Sequence, residues 1–399
     1  MRSLNSDLRR RTEGSAGSAG DRPAGGARRL DLDVVRGVAI LLAMGWHFNH
    51  VDSGNAFLDT LQWPGGTFGW AGVDLFFVLS GFLVGRLVLR EHQRTGAFDG
   101  KRFSLRRGLK LWPVLYVFLV LYAFIGPEPW QSYFWQNALH LQNIVGTSLT
   151  HLWSLAVEEH FYLALAVLFP LLARRRVNPR VLVGLLVGVL LAALLFRVGG
   201  VLVGETAVRL QWRTWFRMDA LAAGVLLATV SVYWPGAFDR MSRWRWLWAG
   251  LTVLGGWWLV AIGKDGVLGE TLGYTVSYLT ATAFLLTLHG ASWVPRTRWL
   301  AQGVAAMGRY SYGIYIWHVL AAQLLTGWLP GMGYRTPTPA AQLAKYAAAI
   351  TLGIVMTLIV ERPMLRLRDR LFPAQARPVA PPSAAEADVP DETLEPVAA

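Results

Sequence analysis

A chain of 399 residues that is 54% hydrophobic and 16% charged falls well below the roughly one-quarter charged share of soluble domains. Its apolar residues come in blocks such as 182–195 (LVGLLVGVLLAALL) and 347–360. About 20 apolar residues cross a bilayer as a helix, so the composition excludes an ordinary soluble domain and points to an all-α, polytopic transmembrane bundle embedded in lipid. The absence of cysteine excludes disulfides, cysteine-ligated metal centres and a cysteinyl acyl-enzyme. The net charge of +13 sits between hydrophobic blocks, as topology signals do, which argues against a nucleic-acid partner.

Residues 1–29 are polar, basic and rich in Gly, Ala and Ser, with no apolar core of the kind a signal peptide needs. They read as a disordered cytoplasmic arm. Residues 30–372 read as the transmembrane domain, and 373–399, Pro/Ala-rich and acidic, as a disordered cytoplasmic tail. Ten spans are expected, near 34–51, 70–90, 109–126, 152–173, 181–203, 216–234, 247–263, 272–290, 309–329 and 343–360. The Lys and Arg residues gather at 1–36, 86–110, 174–180, 240–245, 296–309 and 362–377. Only Arg197, Arg209, Arg213, Arg217, Lys264, Arg335 and Lys345 lie elsewhere. This asymmetry predicts a multi-pass protein of the cytoplasmic (inner) membrane with both termini inside. There is no internal inverted repeat, which weakens a transporter reading.

The first span, 30–50 (LDLDVVRGVAILLAMGWHFNH), carries Asp33, Arg36 and His47. Eleven residues turn a helix by about 1100°, roughly 20° past three turns, so Arg36 and His47 project along one face about 16 Å apart in depth. Asp33, three residues before Arg36, shares that face. Ionisable groups at such depth usually face an interior cavity, and histidine is the side chain suited to accept a proton near neutral pH. A structural His–Asp contact, or a histidine at the outer interface, fits the same pattern.

The next segment, 69–83 (GWAGVDLFFVLSGFL), places Asp74 and Ser80 in an apolar run. Ser80 and Gly81 read as helix-packing residues, whereas a buried Asp74 needs a partner. In 102–113 (RFSLRRGLKLWP), Arg106, Arg107 and Lys110 begin the third span. Spacings of three and four bring Arg107 or Arg106 onto the face of Lys110. Such a cluster can hold phosphates, and it also fits plain positive-inside charge. The segment 151–162 (HLWSLAVEEHFY) concentrates His151, Ser154 and Glu158 on one helix face, a polar density that favours a functional role. Arg209, Arg213 and Arg217 repeat every four residues against the charge bias. They fit an anionic acceptor or pairing with Glu205 and Asp219. Later, 310–318 (YSYGIYIWH) puts His318 within the ninth span.

Seven segments then stand in one order: DVVRGVAILLAMGWH, GVDLFFVLSGFL, RRGLKLWP, HLWSLAVEEHFY, FRMDALAAG, YSYGIYIWH and ERP. Together they resemble the acyltransferase-three family of integral-membrane O-acyltransferases over about residues 30–365. Singly none is specific; the order is. Lys110 stands where the family often has arginine, and no extracytoplasmic hydrolase-like domain follows the last span, unlike in some members. The resemblance implies a bundle of about ten helices. It also implies a cytoplasmic acyl-CoA donor, such as acetyl-CoA, that is a substrate and not a tightly bound cofactor. No metal is expected, and the acceptor is a hydroxyl of a carbohydrate-like molecule.

By the same resemblance, Arg36 and His47 carry the essential arginine and histidine. Arg106, Arg107 and Lys110 contact donor phosphates, Glu158 supports the site, and Asp33 orients Arg36 or His47. His47 is then expected to serve as general base or as an acyl relay, with Arg36 stabilising the oxyanion. The competing readings are a secondary transporter using Asp74, Glu158 and His318 as a proton relay, and a non-catalytic pH sensor.

Overall fold

Each of the ten expected apolar runs forms a helix, and charged or amphipathic stretches beside them extend or add to the set. The computed structural model describes residues 29–48, 55–175, 177–291, 295–328 and 338–373; among these there is no strand. In chain order the long helices are α1 (Leu30–Phe48), α2 (Ala56–Phe68), α3 (Gly72–Thr95), α4 (Gly100–Ile125) and α5 (Trp153–Arg174). They continue with α6 (Pro179–Leu202), α7 (Thr214–Tyr233), α8 (Arg245–Ile262) and α9 (Tyr274–Leu288). The last four are α10 (Pro295–Arg309), α11 (Ser311–Trp328), α12 (Pro339–Met356) and α13 (Arg362–Leu371). The expected arm 1–29 and tail 373–399, apart from Arg29 and Pro373, lie outside the described residues, as does the expected end of the first span at 49–51.

Helix limits follow local chemistry more than apolarity. Asp99 caps α4 by accepting from the Arg102 N–H at 2.9 Å, so α4 begins at Gly100, nine residues before the expected limit of 109, and takes in the charged turn with Arg106 and Arg107. Asn178 and Thr338 cap α6 and α12, each followed by proline in the first turn, where its missing N–H costs nothing. Gly96 closes α3 in the left-handed conformation, φ 70°.

By length and composition, eight helical stretches are apolar enough to cross a membrane. Helices α1 and α11 complete the expected ten. The first carries Asp31, Asp33 and Arg36; the second carries three aromatic residues besides Trp328, together with His318 and Gln323. Both therefore give up aliphatic residues to polar or aromatic ones. Only 6% of the most apolar window of α8 and 11% of that of α6 is buried inside the protein. Apolar surface of that extent needs a nonaqueous surround, and the chain is a membrane protein.

Helix α1 is packed from several sides, with Val35, Ala39, Ile40 and Met44 fully buried. Helix α10, which no apolar run announces, covers one flank by setting Ala301 and Ala305 against Val34. Helix α3 packs tightly against α7. A Cβ at Gly224 would stand 2.6 Å from the Phe82 nitrogen, and one at Gly81 would stand 2.9 Å from the Leu221 carbonyl carbon. Neither site admits a side chain, so the small residues act here as helix-approach positions.

Candidate active site

A cleft of about 810 Å³, counting the part open to solvent, lies where α1, α3, α4, α5 and α11 meet. Helix α1 brings Arg36, α3 brings Ser80, and α4 brings Arg107 and Lys110. Ser154, Glu158 and Tyr162 come from α5, and Ser311, Tyr312 and Tyr315 from α11. Each helix presents residues three or four apart, so one face of each supplies the wall.

Polar contacts order this wall. Tyr162 donates to Glu158 Oε2 at 2.9 Å, so its oxygen is left to accept the hydrogen bond shared with Ser80. The Arg107 guanidinium lies 4.1 Å from the Tyr162 ring centroid. Asp33 pairs with Arg36 at 2.6 Å, fixing that side chain rather than His47. Among the described residues neither Arg107 nor Lys110 makes an ion pair, and Glu158 is the one carboxylate on the same wall. The wall thus presents three cations to one carboxylate.

Arg106 is not part of it. One helical step of about 100° from Arg107 turns it outward, where it donates to the Phe372 carbonyl and pairs with Asp369 at 3.1 Å.

The histidines form a second layer. His47, His151 and His318 stand together, with ring centroids 5.1 Å apart for His47–His318, 5.5 Å for His151–His318 and 6.2 Å for His47–His151. Tyr315, on the cleft wall, has its ring 5.7 Å from His318. It donates to the His151 carbonyl at 2.6 Å, so Ser154, 2.7 Å away, donates to Tyr315. His318 Nδ1 bonds the Tyr315 carbonyl at 2.6 Å, while its buried Nε2 has no hydrogen-bond partner among the described residues. A second cavity, about 900 Å³ counting the part open to solvent, is lined by His47, Phe48, Gln323 and Lys345 among others. His47 on this lining, His318 and Tyr315 on the cleft wall form a run of neighbouring rings. Among the described residues no group of three or more His, Asp or Glu side chains is placed to hold a metal ion.

Asp74 stands apart from both cavities. It accepts from Arg217 at 2.5 Å and from Ser277 at 2.6 Å, fully buried. Its partners, those of Glu158 (Tyr162) and those of His318 (Tyr315) are separate among the described residues. The triplet Arg209, Arg213 and Arg217 divides. Arg209 and Arg213 pair with Glu205 at 3.1 and 2.9 Å, and the Arg209 hydrogen bond, followed by the Arg213 charge, holds that carboxyl below the usual range. Arg217 takes Asp74, and Asp219 takes Arg197 at 2.7 Å.

Sequence reasoning favours packing for Ser80 while keeping it among the site candidates, and it lines the cleft. It passed over Tyr162, Tyr312, Tyr315, Gln323 and Lys345. A signal existed: Glu158–Tyr162, and Tyr312, Tyr315 and His318, run along single helix faces at spacings of four and three.

O-acetyltransferase OatA of Staphylococcus aureus (strain NCTC 8325 / PS 47) is 28% identical over 319 residues, covering 72% of this chain and 49% of that protein. Peptidoglycan O-acetyltransferase OatA of Listeria monocytogenes is 27% identical over 232 residues, 53% of this chain and 34% of that protein. The chain spans about half the length, or less, of these curated relatives. No solved structure matches. The family profile described as acyltransferase domain matches residues 29–360, most of the described bundle with both cavities, and the chain belongs to that family of membrane acyltransferases.

Proposed function

We propose that this protein is a membrane O-acetyltransferase that moves an acyl group from acetyl-CoA, or a related acyl-CoA, to a hydroxyl of a cell-envelope carbohydrate. The observation that carries the reading is a run of neighbouring rings that joins two cavity linings. One cavity is rich in cations and has Tyr315 on its wall; the other is lined by His47; His318 lies within ring contact of both residues. Arg107 and Lys110 suit the phosphates of a coenzyme A, and the thioester end then points toward the histidine layer. The relatives' names, one of which specifies peptidoglycan, support an acceptor among envelope glycans. The charge pattern supports a cation-lined cleft on the cytoplasmic side of an inner membrane, with both termini inside.

In direct transfer, His47 accepts the acceptor hydroxyl's proton as that oxygen attacks the thioester carbonyl. The carbon–sulfur bond breaks, and coenzyme A leaves as the thiolate. In the relay variant, His47 takes the acyl group first, releasing coenzyme A, and the acceptor oxygen then displaces the imidazole. Arg36, held by Asp33 on the cleft wall about 16 Å along α1 from His47, adds positive charge for the donor phosphates, and Glu158 positions Tyr162 beneath Arg107. General-base help of this kind is worth about 10² to 10⁴ in rate.

The test compares envelope glycans from cells carrying wild type, His47→Ala or no protein, by mass spectrometry. A species heavier by one acetyl unit with wild type alone is the expected result. Equal acetylation by His47→Ala, with both proteins present in the membrane, would sink the assignment. Radiolabel held on wild-type protein and absent from His47→Ala separates the relay from direct transfer.

A further inference from the structure

Seven basic residues fall outside the clusters that the charge bias explains, and the structure describes six of them. Arg197 pairs with Asp219, Arg209 and Arg213 with Glu205, Arg217 with Asp74, and Lys264 with Asp265 at 3.2 Å. Lys345 differs: among the described residues it has no ion-pair partner, and it lines the second cavity together with His47, Gln323 and Thr326. A lysine near a helix end often reaches for the membrane interface. This one faces a cavity shared with the candidate base, where a lone ammonium with a flexible stem acts as a point charge for an anion. Gln323 adds an amide donor and acceptor on the same wall.

We infer that Lys345 makes the second cavity an acceptor site for an anionic carbohydrate, one that bears a carboxylate or phosphate near the hydroxyl to be acylated. This rests on the acyltransferase reading above and deepens it. The anionic group would dock on Lys345 while the hydroxyl turns toward His47. Lys345 is thus a specificity-determining residue, acting on binding of the acceptor and not on the acyl donor.

The test uses full-length protein in lipid nanodiscs with acetyl-CoA, reading coenzyme A thiol release. The acceptors are matched pairs that differ in one acidic group: N-acetylglucosamine with N-acetylmuramic acid, glucose with glucuronic acid, and glucose with glucose 6-phosphate. Wild type is expected to show a lower KM for the acidic member of at least one pair. Lys345→Gln should raise that KM about tenfold, the scale of one charge-assisted hydrogen bond, with kcat and the neutral member's KM within twofold. Lys345→Arg should retain most of the preference. Equal use of both members by wild type, or an equal KM rise for both in Lys345→Gln, overturns the acceptor assignment and leaves the acyltransferase reading standing. Silence with every sugar overturns both, and is told apart by the missing turnover of the neutral members.

Discussion

Two polar centres are buried in this bundle, and they are built on opposite principles. In the centre between α3, α6, α7 and α9, each guanidinium meets a carboxylate: Arg197 with Asp219 at 2.7 Å and Arg217 with Asp74 at 2.5 Å, all four side chains at most 1% exposed. The remaining Arg197 donors go to the Phe216 and Thr271 carbonyls and the Thr275 hydroxyl, and the Arg217 guanidinium lies 3.8 Å from the Tyr274 ring centroid. In the centre among α1, α4, α5 and α11, Arg107 and Lys110 face a cleft without an ion pair among the described residues. A charge neutralised inside an apolar bundle is architecture. A charge left unmatched beside a cavity is held there at a cost that a ligand offsets. The contrast explains why the many ionisable residues of this chain do not all carry chemistry.

The sharpest way to break the comparison is Asp74→Ala. It strands Arg217 in the interior, where removing one partner of a buried pair costs about 3–5 kcal/mol, much of a typical fold's margin of about 5–15 kcal/mol. The expected outcome is a collapse of membrane yield and of the melting temperature in detergent. The double variant Asp74→Leu/Arg217→Met, which removes both charges, should recover most of it. An Asp74→Ala protein as stable as wild type would mean that the closed centre is not structural.

The open centre should respond with the opposite sign. Lys110→Met removes a half-buried ammonium that has no ion pair among the described residues and keeps its length. Its desolvation cost disappears with it, so melting should stay level or rise. The KM for acetyl-CoA should rise about tenfold, the loss of one charge-assisted contact of about 1.4 kcal/mol. Stability lost together with donor binding would erase the distinction between the two centres.

How far the sequence discloses these centres depends on the distance over which partners are found. Asp33 and Arg36 are three apart on one helix, and their pairing is readable from that spacing alone. Arg217 and Asp219 are two apart, about 200° around the helix, so they cannot meet. The true partner, Asp74, arrives from a helix 143 positions away in sequence, and only packing through Gly81 and Gly224 brings it there. His151, Ser154 and Glu158 do share a face, but that face crosses a boundary: Glu158 lines the cleft, while His151 belongs to the histidine layer. The ten apolar runs were legible because lipid selects for them. The charged first turn of α4 and the amphipathic α10 were not, since capping by Asp99 and burial of small alanines leave no apolar run. Lys345 was visible as a charge-bias exception, but its meaning needed the pairing of the other described exceptions.

The smallest expected effect is the most discriminating for the donor site. Motif resemblance puts Arg106 with Arg107 and Lys110 as a phosphate contact; the structure turns it toward α13. Its pair with Asp369 is a surface one, the side chains 24% and 53% exposed, and such pairs are worth about 0–1 kcal/mol. Arg106→Ala should therefore lower the melting temperature by a degree or two at most and leave the KM for acetyl-CoA within twofold. Arg107→Ala, one residue on, should raise it about tenfold, as Lys110→Met does. Equal kinetic losses in Arg106→Ala and Arg107→Ala would require Arg106 to swing off α13 when the donor binds, making the Asp369 pair a contact of the empty enzyme only.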